Sequence, residues 1–372
     1  MSPSHSPGTG EIESAAATLR TDLNYLLGEH LILAAKATGA ALGGRADQFA
    51  AYAALLNTNG TDLGAAIGSI YGQAAQDEWN RIWSAHNGFF VDYTNGVATK
   101  DQAAMDLAVK NLTTVYVPQF AEFLAGATDL PTEAITNLVT QHVLQTKAVV
   151  DAQAAGEWDA AYAAIREAYA HMQMIGDALA PAIASKNGID GDAGTAGVDF
   201  RVALNQFLQE HLFLASFATD AALAGRADEF AAAGAVLNTN GTDLGAAIGS
   251  IYGQAAQDEW NRIWSAHNGF FVDYTNGVAT KDQAAMDLAV KNLTTVYVPQ
   301  FAEFLAGATD LPQNVLEKLI SEHVLTTKAI VDAQGAGDVM GAATADREAA
   351  QHMRMIGDPL AVAIVGKVPD KF

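Results

Sequence analysis

The chain has 372 residues, of which 42 are acidic and 20 basic, a formal net charge of -22, and it contains no cysteine. That charge repels nucleic acid and anionic lipid over most of a surface. The lack of thiols excludes disulfides, thiolate metal sites and covalently attached c-type haem. No run of about 20 apolar residues occurs, so no membrane-spanning segment is expected.

Residues 1–17 open with Met1-Ser2-Pro3-Ser4-His5-Ser6-Pro7-Gly8, without the basic and apolar stretches of a signal peptide, and read as a disordered leader. His5 belongs to this tail and has no counterpart later in the chain. The compartment stays open between an extracytoplasmic mature protein, the slightly favoured reading, and a cytoplasmic one.

Helical segments are expected at 18–42, 46–72, 73–95, 99–125, 131–155 and 158–184, from alanine-rich periodic runs punctuated by glycine and proline. Thr99 with Gln102, and Asp129-Leu130-Pro131-Thr132-Glu133, read as helix starts. Gly43-Gly44, Asn95-Gly96 and Gly156 read as turns. Asn57-Thr58-Asn59-Gly60 weakens the second segment, and Pro118 is expected to bend the fourth. Residues 185–198 read as a flexible linker, because Asp190-Gly191-Asp192 is not followed by the rest of a twelve-residue calcium loop. Residues 199–372 then repeat the first bundle, 18–184, at an offset of 181. The expected fold is therefore all-α: tandem duplicated antiparallel helical bundles of about six helices each.

The duplication supplies a substitution record within one molecule. Leu56–Pro131 recurs unchanged as Leu237–Pro312, and residues there carry no information about selection. The flanks have drifted: Thr18-Leu19-Arg20-Thr21 has become Asp199-Phe200-Arg201-Val202, and Lys36 has become Phe217. Through that drift His30, His142 and His171 persist as His211, His323 and His352, while His86 and His267 lie in the identical block. His30, His86 and His142 are spaced by 56 residues, each on the first helix of a helical hairpin, which places them at similar heights. His171 stands on the second helix of the third hairpin.

Four imidazoles from four helices pointing inward would make a site of the kind helix bundles build from facing side chains. The bland alternative is a set of separate core or helix-edge histidines. Glu167 and His171 share a helix face, as do Glu348 and His352, so the carboxylates are candidate ligands or imidazole partners, or else surface pairs. Glu29 and Glu210 are turned about 100° from the adjacent histidine and read as solvated or touching a neighbouring helix. Asp92 and Asp177 are candidates for supporting positions only. Trp79, Trp83 and Phe90 form a stripe beside His86, suited to core packing or to a pocket wall. Met172 and Met174 lie beside His171.

The expected metal ligands are His30, His86, His142, His171 and Glu167, with His211, His267, His323, His352 and Glu348 in the second copy. Carboxylate-rich di-iron sites need Glu-x-x-His pairs, which are absent. Calcium and magnesium prefer oxygen donors. Imidazole suits zinc, copper or iron. Several histidines with one carboxylate in a helical bundle distantly resemble the hemerythrin-like bundles. The resemblance implies oxygen or metal binding, with His30, His86, His142 and His171 as ligands and Glu167 as the carboxylate. The family's His-x-x-x-Glu spacing is missing, Glu167 and His171 standing in the reverse order.

No phosphate loop, nucleophile elbow or His-Glu-x-x-His motif occurs, and a binding protein is preferred to an enzyme. The expected function is transition-metal storage, buffering or carriage through one histidine-rich site per domain. The competing readings are a structural or adhesive tandem-repeat protein without a cofactor, and a haem-binding protein with histidine ligation.

Overall fold

A computed structural model describes residues 9–372; residues 1–8, His5 among them, lie outside the described residues. The chain divides into two compact units, Ser14–Ala193 and Gly194–Phe372, the second also taking in residues 9–13. Among the described residues there is no strand, and each unit is a helical bundle, one copy of the duplication that the sequence predicts.

In the first unit, α2 (Ala15–Leu42) packs on α3 (Ala46–Tyr71), α4 (Gln73–Thr99), α7 (Thr132–Ala155) and α8 (Trp158–Asn187). Buried residues lie all around α2, and they include Asn24, Glu29, His30 and Lys36. Such a helix has no solvent face to spend on charge, and each of its polar groups must find a partner inside the protein. Successive helices pack on one another and α8 returns to α2, closing a ring of six rods.

The fourth rod is α5 (Gln102–Asn111), a π turn at Leu112–Tyr116, and α6 (Val117–Thr128). Pro118 has no N–H to donate to the preceding turn, and the backbone widens just before it. The bend expected at Pro118 thus takes the form of a π turn that ends on Tyr116.

Three local expectations are corrected. Asn57-Thr58-Asn59-Gly60 does not interrupt α3, because Asn59 is buried and its Nδ2 donates to Leu26 O at 2.9 Å and to Glu29 Oε2 at 2.8 Å. Asn95-Gly96 lies within α4, which ends at Lys100 in the left-handed conformation. The cap of the next helix is Asp101, accepting from Ala104 N at 3.1 Å, in place of Thr99.

Small residues set the approach of α3 to α4. A Cβ on Gly60 would lie 2.8 Å from Trp83 Cδ1, and one on Gly64 would run into Asn80 Oδ1. At Gly60 the atom met belongs to the buried Trp83 ring, so a larger residue there would have to shift α3 or that ring.

Helix α2 begins at Ala15, earlier than expected, capped by Ser14 Oγ accepting from Ala17 N at 3.2 Å. After α8, residues 188–193 are tied to the first unit. Asp190 O accepts from Ala16 N at 2.9 Å, Arg20 Nη1 donates to Ala193 O at 2.7 Å, and Ala193 is buried with Ala16 and Ala184. Arg20 also pairs with Asp177 at 2.8 Å.

The second unit repeats this plan with α9 (Ala196–Leu223), α10 (Ala227–Tyr252), α11 (Gln254–Thr280), α12 (Gln283–Asn292), a π turn at Leu293–Tyr297, α13 (Val298–Thr309), α14 (Gln313–Ala336) and α15 (Val339–Lys367). A short α1 (Thr9–Ile12) packs on α9 and α15, and Ile12 O accepts from Arg201 Nη1 at 2.8 Å. Arg201 is also paired with Asp358 at 2.9 Å, the counterpart of the Arg20–Asp177 pair.

Candidate metal centre

Helices α2, α4 and α7 meet along the bundle axis, and each contributes one imidazole at the crossing. His30, His86 and His142 are all buried, and each offers one ligand nitrogen such that the three atoms lie within 4.8 Å of one another. His211, His267 and His323 make the same triad in the second unit. Ring centroids are 5.4 Å apart for His30 and His86, 5.8 Å for His86 and His142, and 6.0 Å for His30 and His142.

A tetrahedral ion with metal–nitrogen bonds of about 2.0–2.1 Å separates its ligands by about 3.4 Å. The rings therefore need only small rotations inward to reach bonding distance. The 56-residue spacing is what brings three equivalent helices to the same height.

Burial decides the charge on these rings. It draws the pKa of His86 down to about 4, opposed by the Trp83 carbonyl, which favours the protonated ring. His30 is held well below the usual histidine range by burial and by the neighbouring His86 and His142. His142 is lowered by burial, His86 and His171. The second triad is shifted in the same directions by the corresponding groups. Neutral imidazole is the form that binds metals, and these rings stay neutral well into the acid range.

The hydrogen bonds orient the lone pairs. His86 Nδ1 lies 3.3 Å from Trp83 O, and since a carbonyl only accepts, Nδ1 carries the proton and Nε2 keeps its lone pair. His142 Nδ1 is 3.4 Å from Thr146 Oγ1, while His142 Nε2 and His30 Nδ1 are buried with no hydrogen-bond partner in the protein. The second copy repeats the Thr327–His323 contact at 3.4 Å and leaves His323 Nε2 and His211 Nδ1 unpartnered. At His267 the Trp264 carbonyl still acts in the same direction, although Nδ1 makes no hydrogen bond. An orphaned buried nitrogen costs about 1–3 kcal/mol, so a cluster of them is poor core design unless a ligand satisfies it.

Aromatic rings wall the triad. Trp83 lies 4.6 Å from His30 and 5.0 Å from His86, and it stacks on Trp79 at 4.8 Å. Tyr116, placed by the π turn, stacks on His86 at 4.6 Å, and burial pushes its phenol well above the ordinary range. Phe90 meets His86 edge-on at 5.6 Å. Of these, Trp79, Trp83 and Phe90 are visible as a stripe in the sequence. Tyr116 is not, because its position depends on how the π turn rotates the fourth rod. Thr146 is legible only as the residue one helical turn after His142.

The fourth histidine stands apart from the triad. His171 Nε2 faces Leu138 O at 2.8 Å, and His352 Nε2 faces Leu319 O at 3.0 Å, so in each ring that nitrogen carries the proton. Four rings in one centre, the arrangement expected from the sequence, do not form because α8 turns His171 to the α7 backbone. Glu167 is exposed and accepts from Gln145 Nε2 at 3.1 Å; Glu348 is exposed too. Glu29 and Glu210 are buried against Asn59 and Asn240 and do not join the triads. Asp92 is exposed, and Asp177 is bonded to Arg20 and Asn24. Met172 is buried and Met174 exposed.

No family model matches this chain, and neither the curated proteins nor the solved structures compared with it give a significant match. The likeness to hemerythrin-like bundles thus rests on layout alone, and a three-histidine cluster without a carboxylate departs from it. Fold and site together define an all-α duplicated protein with two buried histidine triads compatible with metal binding.

Proposed function

We propose that each unit binds one first-row transition-metal ion, zinc, copper or iron, through His30, His86 and His142 in the first copy and His211, His267 and His323 in the second. The chain then stores, buffers or carries two ions. The observation that carries this reading is the convergence of three buried imidazoles, each with a ligand nitrogen within 4.8 Å of the other two, in a cluster where His30 Nδ1 and His142 Nε2 have no hydrogen-bond partner in the protein. The nitrogen-only donor set favours these ions over calcium and magnesium. His171, His352, Glu167 and Glu348 are left out of the ligand set, their polar atoms being directed elsewhere.

The haem reading is not favoured, because ring centroids 5.4–6.0 Å apart leave no slot for a macrocycle. The test is elemental analysis of tag-free protein after reconstitution with Zn(II), Cu(II) or Fe(II) and removal of free metal. Two equivalents per chain, lost when the triads are replaced by alanine, are expected. Fewer than about 0.5 equivalents per domain with every ion would return the protein to the structural, cofactor-free reading.

A further inference from the structure

Beside each triad lies a cavity with about 50 Å³ of room for water-sized molecules. In the first copy His30 and His86 form its inner end, and Ala34, Phe49, Leu56 and Phe90 line its walls. Its polar groups, Asn87 and Thr146 among them, are neutral, and no Asp, Glu, Lys or Arg lines it. The second copy has the same character, with His211, His267 and His323 at the inner end.

Three protein donors leave a four-coordinate ion one position short. His171 is committed to a backbone carbonyl and Glu29 to Asn59, and Tyr116, stacked on His86, is held by burial as the neutral phenol, a weak metal ligand. Three imidazoles also leave the full 2+ charge of the ion uncompensated in a low-dielectric setting, where charge interactions are strong. The vacant position and the unbalanced charge point the same way, toward an anion small enough for the cavity.

Resting on the metal reading above, we infer that each metal centre takes a small exogenous monoanion as its fourth ligand, admitted through this cavity. The charge complement and the size of the cavity select the ligand; its apolar walls exclude larger or multiply charged anions, which would lose hydration without a protein partner.

The experiment uses the full chain loaded with Cu(II) and titrated with sodium azide, following the azide-to-copper charge-transfer absorption while copper content is measured separately. Saturable appearance of the band at one azide per copper is expected. Ala34→Leu with Ala215→Leu, at partly exposed positions on the cavity wall, should keep two coppers per chain and weaken azide binding at least about tenfold by occlusion. Asn87→Asp with Asn268→Asp should also weaken azide about tenfold or more, the effect of a unit charge a few ångström away at an effective dielectric of about 20.

Copper bound at two per chain with no azide band would overturn this inference and leave the metal site standing. Unchanged azide affinity in both variant pairs would also overturn it, by placing the anion outside the cavity. Failure to bind copper or any other ion is read from the elemental analysis and sinks the metal site itself.

Discussion

The two copies differ most along the seam between the first and last long helices of each unit, whereas the triads keep their geometry. On α2 and α8 the first unit buries Tyr25, Tyr162, Ile165 and Tyr169; at the corresponding positions on α9 and α15 the second buries Gln206, Ala343, Asp346 and Ala350. Lys36, with its Nζ 3.4 Å from Tyr52 Oη, is answered by Phe217 and Ala233. Yet the ring separations of the second triad are 5.4, 5.7 and 6.2 Å, against 5.4, 5.8 and 6.0 Å in the first. The scaffold has been repacked with different volumes and polarity while the triad has held its geometry. The site is positioned by the α2–α4–α7 crossing and the glycine approach of α3, and the α2–α8 seam has changed around it.

Removing a ligand from one copy only should have the largest effect. His86→Ala should reduce bound metal from two ions per chain to one, His267→Ala should do the same, and the double variant should bind none. Metal analysis alongside circular dichroism reads this, and a single variant that retains both ions would separate the triads from metal binding. Metal-induced thermal stabilisation should fall in step, since it exists only where the folded state binds the ion.

Acid should act on both units alike. The folded-state pKa of His86 and of His267 is about 4, below the reference value of about 6.5 that applies in the unfolded chain. The unfolded state therefore takes up protons first, so metal-free stability is full above about pH 6.5 and is lost as pH falls toward 4. Each of these rings contributes about 3 kcal/mol to that loss, with His30, His142 and their counterparts adding in the same direction. Urea unfolding of metal-free protein between pH 7.5 and pH 4.5 measures it. A flat profile would mean that the rings are not neutral and buried together.

Gly60→Ala and Gly241→Ala test the helix approach in the identical block. A Cβ at either place would meet a tryptophan ring, 2.8 Å from Trp83 Cδ1 or 2.7 Å from Trp264 Cδ1. Each should cost about 1–3 kcal/mol and weaken metal binding by shifting the helix that carries His86 or His267. The two variants should behave alike, and normal metal affinity in both would show that the approach does not position the ligand.

The repacked pair sharpens the contrast with a smaller effect. Lys36→Phe alone inserts a ring against Tyr52 and should cost about 1–3 kcal/mol, whereas Lys36→Phe with Tyr52→Ala recreates the second-copy pair and should recover most of that loss. Metal content should stay at the wild-type level in both; a drop would mean that this packing and the triad are coupled.

The smallest effect is expected at the fourth histidine. His171→Gln removes the bond to Leu138 O at a cost of about 1 kcal/mol and should leave two metals per chain. Loss of one ion in this variant would bring His171 back into the ligand set.

The duplication, the all-α class, the six rods and the three histidines at matched heights are legible in the sequence, because helical periodicity and the 181- and 56-residue spacings are written in one dimension. It also placed Trp83 and Phe90 beside His86, since residues one turn apart share a helix face. Which histidines meet follows from the packing of the bundle. His171 persists through the drift as His30 and His142 do, but it stands outside the 56-residue series on the second helix of its hairpin, whose packing delivers its ring to a backbone carbonyl. Likewise Glu29 and Asn59 are ordinary polar residues in the sequence and become a buried pair only where α2 crosses α3. Spacing fixes a side chain's height and the face of its own helix. The rotation of that helix against its neighbours is set by packing of the whole bundle, and that rotation separates a ligand from a satisfied core histidine.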